Sequence, residues 1–298
     1  TQLLPFVEEK LVFDRLSQVS SKLTQPAFQA TNLDAGGVEH VANTRIAGYL
    51  CPSFPGESEV DNTIATEYVI VGTKLPAVSN YISIPATHVA DITSTTTGTA
   101  GNGTIVFPAV DTVRRGIGFK GIADGTAKTV LACESREEGY AAWLDGQVTW
   151  GVGVWPGSTN AVPTLNEDQF FGWTNAQAAA AGNRVSLNTG HATTAAEMYM
   201  TSAQAPNTLA ATRQWGPSSV HSGGVVIHVF GDNHVSAISE DVDKNVYLRL
   251  ITRNGGEPVG EGGDDVASMS DGIGSRSKDC VAGLELARVD ERLAVEAE

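Results

Sequence analysis

WGPSSVHSGGVVIHVFGDNHVSAISEDVDKNVYLRLITRNGGEP, residues 215–258, is the most strongly patterned stretch of the chain. Alternating side chains over residues 225–230, and again over 234–238, are typical of two β-strands. Gly231, Asp232 and Asn233 lie between these runs, and such residues tolerate or favour the positive φ of a tight turn. The stretch therefore predicts a β-hairpin with Asp232 and Asn233 at its tip.

A short helix is predicted directly after the hairpin. Asp241 and Asp243 supply carboxylates that can cap a helix start, and Val246 and Leu250 would then share one face. Gly255 and the glycine after it are expected to stop the helix.

Two further strands are predicted upstream. Residues 79–84 form one apolar run, and residues 129–134 form another after a turn at Asp124-Gly125. Strict alternation in the second run would place Val130 and Cys133 on opposite faces. A continuous apolar run at residues 67–71 predicts an additional strand.

The N-terminal third carries weaker signals. Residues 3–17 predict one buried helix, with Pro5 in its first turn and Glu8 and Glu9 favourable at the positive end of the helix dipole. Residues 44–53 predict a short strand that ends at Cys51-Pro52, because the residue before proline favours extended geometry.

Four ordered segments resemble a family of pseudopilin-like proteins, abundant in planctomycetes and named for a histidine, nine intervening residues and an Asp-Gly. The family carries segments close to LLPYLEQ, TRIPTFLCPSDP, ITDGTSNTILVGE and HPGGVNVLFADGSVRFIS, the last followed by a TRNGGE-like ending. This chain matches the first segment within residues 3–17 and the others at residues 44–53, 124–134 and 221–225, with the ending at residues 252–257. It departs from the pattern because ten residues separate His221 from Asp232 and because Asn233 replaces the family glycine.

The resemblance implies an α+β, pilin-like antiparallel sheet with long loop insertions, in a globular domain over residues 1–258. Composition predicts a Gly- and Asp-rich tail over 259–298, beyond the family's usual end, and the spacing of Leu286, Val289 and Leu293 is compatible with a terminal helix. The resemblance also implies an extracellular or cell-surface protein, related to type II secretion and type IV pilus subunits, whose N-terminal pilin helix is absent from this chain. Such a helix would provide the only membrane contact, and the partners would be copies of the chain or other pilin-like subunits. The implied structural motif comprises His221, Gly223, Gly224, Asp232, Asn233, Asp124, Gly125, Cys51 and Pro52.

Composition excludes several classes of protein. A formal charge of −15 over 298 residues, without a basic stripe, disfavours nucleic acid as a partner. There is no run of eighteen apolar residues that would predict a membrane span. The three cysteines form no CxxC pair, so we expect one disulfide and one buried thiol, with the pairing left open.

Four tryptophans occur within thirty-one residues: Trp143, Trp150, Trp155 and Trp173. Aromatic rings can stack on sugars, so these residues are candidates for a carbohydrate-binding or small-solute-binding platform. The alternative is that the rings pack over the sheet, which is the commoner fate of tryptophan.

The histidines and aspartates of the hairpin are candidates for a metal or catalytic site. His221, His228, Asp232 and His234 offer the ligand types that zinc or copper accepts, although a structural histidine is the commoner case. His221 paired with Asp232 would be the candidate general base, but no GxSxG, HExxH or phosphate-loop motif accompanies it. No cofactor is required, and calcium is a candidate only because aspartates are plentiful at positions 241, 243, 264, 265, 271 and 279.

The sequence therefore predicts an exported structural subunit of a pilus-like or pseudopilus-like assembly and not an enzyme, with the binding module as the alternative.

Overall fold

A mixed five-stranded sheet forms the centre of the protein. A computed structural model describes residues 3–19, 41–61, 63, 75–87, 102–105, 117–145, 149–153, 187–188 and 215–255. The strands are β1 (Tyr81–Ala86), β2 (Val130–Glu134), β3 (Trp150–Val152), β4 (Val225–Phe230) and β5 (Val235–Ser239), in the order β3-β1-β2-β4-β5. Together with the α-helices α1 (Lys10–Val19) and α2 (Lys244–Arg249), the sheet makes the described part of the chain α+β.

The predicted hairpin is confirmed. β4 and β5 pair antiparallel over five positions, with Val226 opposite Ile238. The turn between them places Asn233 at φ 69°, the left-handed conformation in which asparagine is the best substitute for glycine. The prediction for β1 is confirmed with a shift of two residues towards the C-terminus.

The prediction of an antiparallel sheet is wrong at one edge. β3 pairs with β1 in parallel, while β1, β2, β4 and β5 pair antiparallel along the rest of the sheet. Parallel neighbours require a long crossover, and the sixty-three residues between Ala86 and Trp150 supply one. This part of the topology has no local signal in the sequence.

β2 departs from strict alternation. Val130 and Cys133 lie in the same core cluster, whereas alternation places them on opposite faces. The register with β4 shifts between Val130 and Ala132, and such an irregularity changes the phase of the strand. Glu134, the last residue of β2, consequently lies on the face opposite Cys133.

Two predictions for the N-terminal third are wrong. Residues 3–17 do not form one helix, because a 3-10 turn at Leu4–Phe6 is separated from α1 by Glu8 at φ 63°. Residues 44–53 contain a 3-10 turn at Ala47–Tyr49 instead of a strand. The strand predicted at residues 67–71 lies outside the described residues, as does the whole of the predicted tail over residues 259–298.

α2 packs against the sheet, and the N-terminal part of the chain contributes to a second, separate core cluster. Asp243 caps α2 by accepting the Val246 N–H at 3.2 Å, as predicted, and the helix ends at Arg249, before Gly255. Tyr247 and Leu248 bury completely against the sheet. Within the described residues, no helix has both the length and the apolar character needed to cross a membrane.

Candidate functional site

A buried carboxylate marks the point where β2 ends. Glu134 is 2% exposed. The last residue pair between β2 and β4 at this end is Cys133 with His228. Beside it, the Ile227 N–H donates to the carboxylate Oε2 of Glu134 at 3.1 Å. The acid therefore satisfies a backbone donor at the point where strand pairing stops.

His221 is the side-chain partner of this carboxylate. Its Nε2 atom lies 3.2 Å from each Glu134 oxygen, and the histidine side chain is 3% exposed. Its backbone N–H donates to Ser219 Oγ at 3.1 Å, and Ser219 Oγ donates in turn to the Val225 carbonyl. These bonds fix the imidazole just before β4 begins.

A hydroxyl and a sulfur continue the cluster into the N-terminal part of the chain. His221 Nδ1 lies 3.4 Å from Ser53 Oγ, which is 3.1 Å from Cys51 Sγ. The Cys51 N–H donates to Asn80 Oδ1 at 3.1 Å, which ties this loop to the start of β1. We call Cys51, Ser53, Glu134 and His221 the Glu134 cluster.

A shallow pocket opens beside the Glu134 cluster. Its empty volume is ≈ 220 Å³, and the enclosed part has room for about one water molecule. Arg136 lies on its wall, with the guanidinium carbon 3.3 Å from the centre of the Trp215 ring. Burial lowers the pKa of Arg136, while the charge of Glu240 opposes that shift.

Three potential metal ligands meet in the Glu134 cluster. One ligand atom each from Cys51, Glu134 and His221 lies within 4.8 Å of the other two, and no second group of this kind occurs in the described ranges. Cys51, however, is disulfide-bonded, and Cys133 is a buried thiol outside any disulfide. The expectation of one disulfide and one buried thiol is therefore confirmed, and Cys280 is the remaining candidate for the partner of Cys51.

The expected pairing of His221 with Asp232 is wrong. β4 lies between them, and its six residues span about 20 Å. Asp232 pairs instead with His234, whose Nδ1 lies 2.6 Å from Asp232 Oδ1 at the exposed hairpin tip. Burial raises the pKa of Asp232, but hydrogen bonds from His234 and its charge outweigh that effect, so the net shift is downward.

His228 is a structural histidine inside the sheet. Its Nδ1 lies 2.9 Å from the Val226 carbonyl, and its Nε2 lies 3.1 Å from Tyr247 Oη. Because a carbonyl only accepts, Nδ1 carries the proton of the neutral ring, and Nε2 accepts from the Tyr247 hydroxyl. Burial lowers the pKa of His228 to about 4, against a small upward effect of the bond to Val226. His221, His228, Asp232 and His234 thus do not converge on one metal site.

The other matched motif residues hold backbone turns. Gly125, Gly223 and Gly224 have φ values of 96°, 84° and 63°, which disfavour any other residue there. Asp124 Oδ2 accepts the Gly255 N–H at 2.7 Å, joining the turn before β2 to the segment after α2. Pro52 lies in the turn that follows Cys51.

The tryptophans are divided between the core and undescribed segments. Trp143 is 5% exposed and donates from Nε1 to the Thr44 carbonyl at 3.1 Å, while Trp150 is 2% exposed in β3. Neither ring presents a face to solvent, so neither belongs to a sugar-stacking platform. Trp155 and Trp173 lie outside the described residues.

The structure describes two of the six aspartates that are candidates for calcium binding. Asp243 caps α2, and the Asp241 N–H donates to Ser239 Oγ at 3.2 Å in the turn before it. The aspartates at positions 264, 265, 271 and 279 lie outside the described residues.

Sequence reasoning missed three central residues. Glu134 and Ser53 complete the cluster around His221, and Glu137 accepts the Trp215 N–H at 2.8 Å while being 1% exposed. The available signal was a single acid at the end of an otherwise apolar strand, since buried acids are rare unless they are paired.

Comparison with known proteins identifies a family. Residues 1–245 match the family model described as "Protein of unknown function (DUF1559)", a family often seen among planctomycete surface proteins. Its short name, SBP_bac_10, points to an extracellular or periplasmic location. No curated protein and no solved structure matches the chain.

Proposed function

We propose, from the premise that this chain belongs to the DUF1559 family, that it is an exported structural subunit of a pilus-like or pseudopilus-like cell-surface assembly. Under this proposal the α+β domain is pilin-like, and it associates with copies of itself or with other pilin-like subunits.

The observation that carries the proposal is the internal use of the polar groups in the Glu134 cluster. Glu134 accepts from the chain's own backbone and meets His221, and His221 meets Ser53. The adjoining pocket encloses room for about one water molecule, which is too little for an organic substrate. A closed arrangement of this kind supports a scaffold role over a reaction centre.

The disulfide and the surface charge support an extracytoplasmic location. Disulfides persist in oxidising compartments and are rare in the cytosol, and Cys51 is disulfide-bonded. A net charge of −15 keeps an exposed subunit soluble.

Electron microscopy of the native surface fraction tests the proposal. The chain, tagged at its genomic locus, is detected by gold-labelled antibody on negatively stained material sheared from cells. We expect label at regular intervals along filaments or short pseudopilus-like rods. Label confined to free monomers in the medium, with no ordered structure, would contradict the assembly role.

The binding-module alternative is tested on the same purified protein. Oligosaccharides should leave its tryptophan fluorescence unchanged if the structural proposal is correct. Saturable quenching would favour the alternative and would direct attention to Trp155 and Trp173, because Trp143 and Trp150 are buried.

A further inference from the structure

We propose that Asn254 is a site of spontaneous deamidation and that the carboxylate of Asp124 restrains the reaction while the domain is folded. The modification takes place within one chain, so the proposal does not depend on the assembly role proposed above.

Deamidation needs an asparagine whose side chain can be reached by the backbone nitrogen of the next residue. That nitrogen gives up its proton and attacks Cγ of the asparagine. The bond from Cγ to Nδ2 breaks, ammonia leaves with the proton, and a cyclic imide remains. Water then opens the ring on either side, which yields an aspartyl or an isoaspartyl linkage. Glycine is the most permissive next residue, because it has no Cβ to obstruct the approach.

The chain contains two Asn-Gly pairs, Asn102-Gly103 and Asn254-Gly255, and the fold brings them together. The Arg253 N–H donates to the Asn102 carbonyl at 3.0 Å, and Arg253 Nη1 donates to the Gly103 carbonyl at 2.8 Å. Both asparagines line one shallow cavity, whose enclosed part has room for about one water molecule. A difference in reactivity between the two pairs must therefore come from their own contacts.

Asn102 is held against the reaction on both sides of the bond that would form. Its Oδ1 accepts the Thr87 N–H at 2.9 Å, and its Nδ2 donates to Thr87 Oγ1 at 2.9 Å. Gly103 is buried, and its N–H donates to the Pro85 carbonyl at 2.9 Å. A Cβ added to Gly103 would lie 2.5 Å from the Ile84 carbonyl oxygen, so this backbone has no room to turn. Attack at Asn102 would require several of these contacts to break together.

The Asn254 pair is held in a different way. The Asn254 side chain is exposed, and the Gly255 N–H donates to Asp124 Oδ2 at 2.7 Å. The Asp124 N–H donates in turn to the Arg253 carbonyl at 3.2 Å. The Gly255 nitrogen becomes negative as it loses its proton, and a carboxylate at 2.7 Å repels that charge. Asp124 therefore slows the reaction but leaves the side chain of Asn254 free to take part in it.

Modification of Asn254 removes a contact between two parts of the domain. The imide nitrogen carries no proton, so the hydrogen bond from Gly255 to Asp124 is lost when the ring forms. An isoaspartyl linkage then adds a carbon atom to the backbone and displaces the Gly255 N–H. We therefore expect the turn before β2 to separate from the segment after α2.

Peptide mapping of the full chain, aged in mildly alkaline buffer, tests the proposal. Digestion at acidic pH suppresses conversion during handling, and the mass and retention of each peptide report deamidation and isoaspartate. In the folded protein, conversion at Asn254 should be at least about tenfold faster than at Asn102, which has hydrogen bonds to lose. In urea, where both pairs lose their contacts, the two sites should convert at similar rates. Equal rates in the folded protein, or conversion at neither site, would overturn the proposed site.

A variant of Asp124 tests the restraint separately. Asp124→Ala should speed conversion at Asn254 by about tenfold, the factor that corresponds to one hydrogen bond to a charged group. The control Asp14→Ala removes an aspartate of α1 and should leave the rate unchanged. An unchanged rate in Asp124→Ala would overturn the restraint, and so would faster conversion at both Asn254 and Asn102, which indicates general loosening of the fold. If Asp124→Ala does not fold, the comparison of the two sites in folded and urea-unfolded wild type decides the question.

Discussion

His221 Nε2 lies 3.2 Å from the carboxylate of Glu134, although the two residues are 87 positions apart in the chain. Both are almost completely buried, and both belong to segments that match the family pattern. The loop at Cys51 and Ser53 joins them from a third such segment. Segments that look independent in the sequence are thus held together by one small polar cluster.

The hairpin tip should tolerate glycine but not a branched residue. Asn233 has φ 69°, so Asn233→Gly should change the free energy of unfolding by less than about 0.5 kcal/mol, whereas Asn233→Val should lower it by about 1–2 kcal/mol. Urea unfolding followed by circular dichroism measures both. Equal stability of the two variants would show that the turn does not need the left-handed conformation.

His228 should make stability depend on pH. Its pKa is 6.5 in the unfolded chain and about 4 in the fold, so between these values the unfolded state binds the extra proton. This contribution is fully present above pH 6.5 and is lost as the pH falls to 4, by roughly 3 kcal/mol. Urea unfolding of His228→Gln should lack this part of the slope, and the exposed control His234→Gln should keep it. An unchanged slope in His228→Gln would contradict the burial of a neutral imidazole.

The hairpin and β2 could be predicted because their signals are local. Alternation marks the strands, and glycine or asparagine marks the turns at Gly125 and Asn233. The parallel pairing of β3 with β1 and the phase change after Val130 could not be predicted, because both depend on contacts between distant segments. The Glu134 cluster could not be predicted for the same reason. The sequence suggested His221 and Asp232 as partners, but β4 separates them. The partner of His221 is Glu134, which ends β2.

Trp150 should matter for stability and not for ligand binding. It is 2% exposed, so Trp150→Ala should lower the free energy of unfolding by about 3–5 kcal/mol. Trp215, which is half-buried under Arg136, is the matched control, and Trp215→Ala should cost less, about 1–2 kcal/mol. Thermal or urea unfolding decides this, and equal losses would contradict the difference in burial.

The cysteines should differ in chemical reactivity. Cys133 is completely buried, so a maleimide should label it in urea and not in the native protein. Non-reducing peptide mapping should recover Cys51 in a disulfide, with Cys280 as its partner. Native labelling of Cys133, or recovery of Cys51 as a free thiol under oxidising conditions, would refute the assignment.

The most direct test of the scaffold role of the Glu134 cluster is the free energy of unfolding of Glu134→Ala, measured in urea at pH 7. Removing this acid takes away the buried partner of the Ile227 N–H and of His221 Nε2, so we predict a loss of about 3–5 kcal/mol. The control Glu138→Ala, at an exposed acid four residues away, should lose no more than about 0.5 kcal/mol. If Glu134→Ala were as stable as that control, the cluster would not hold the domain together.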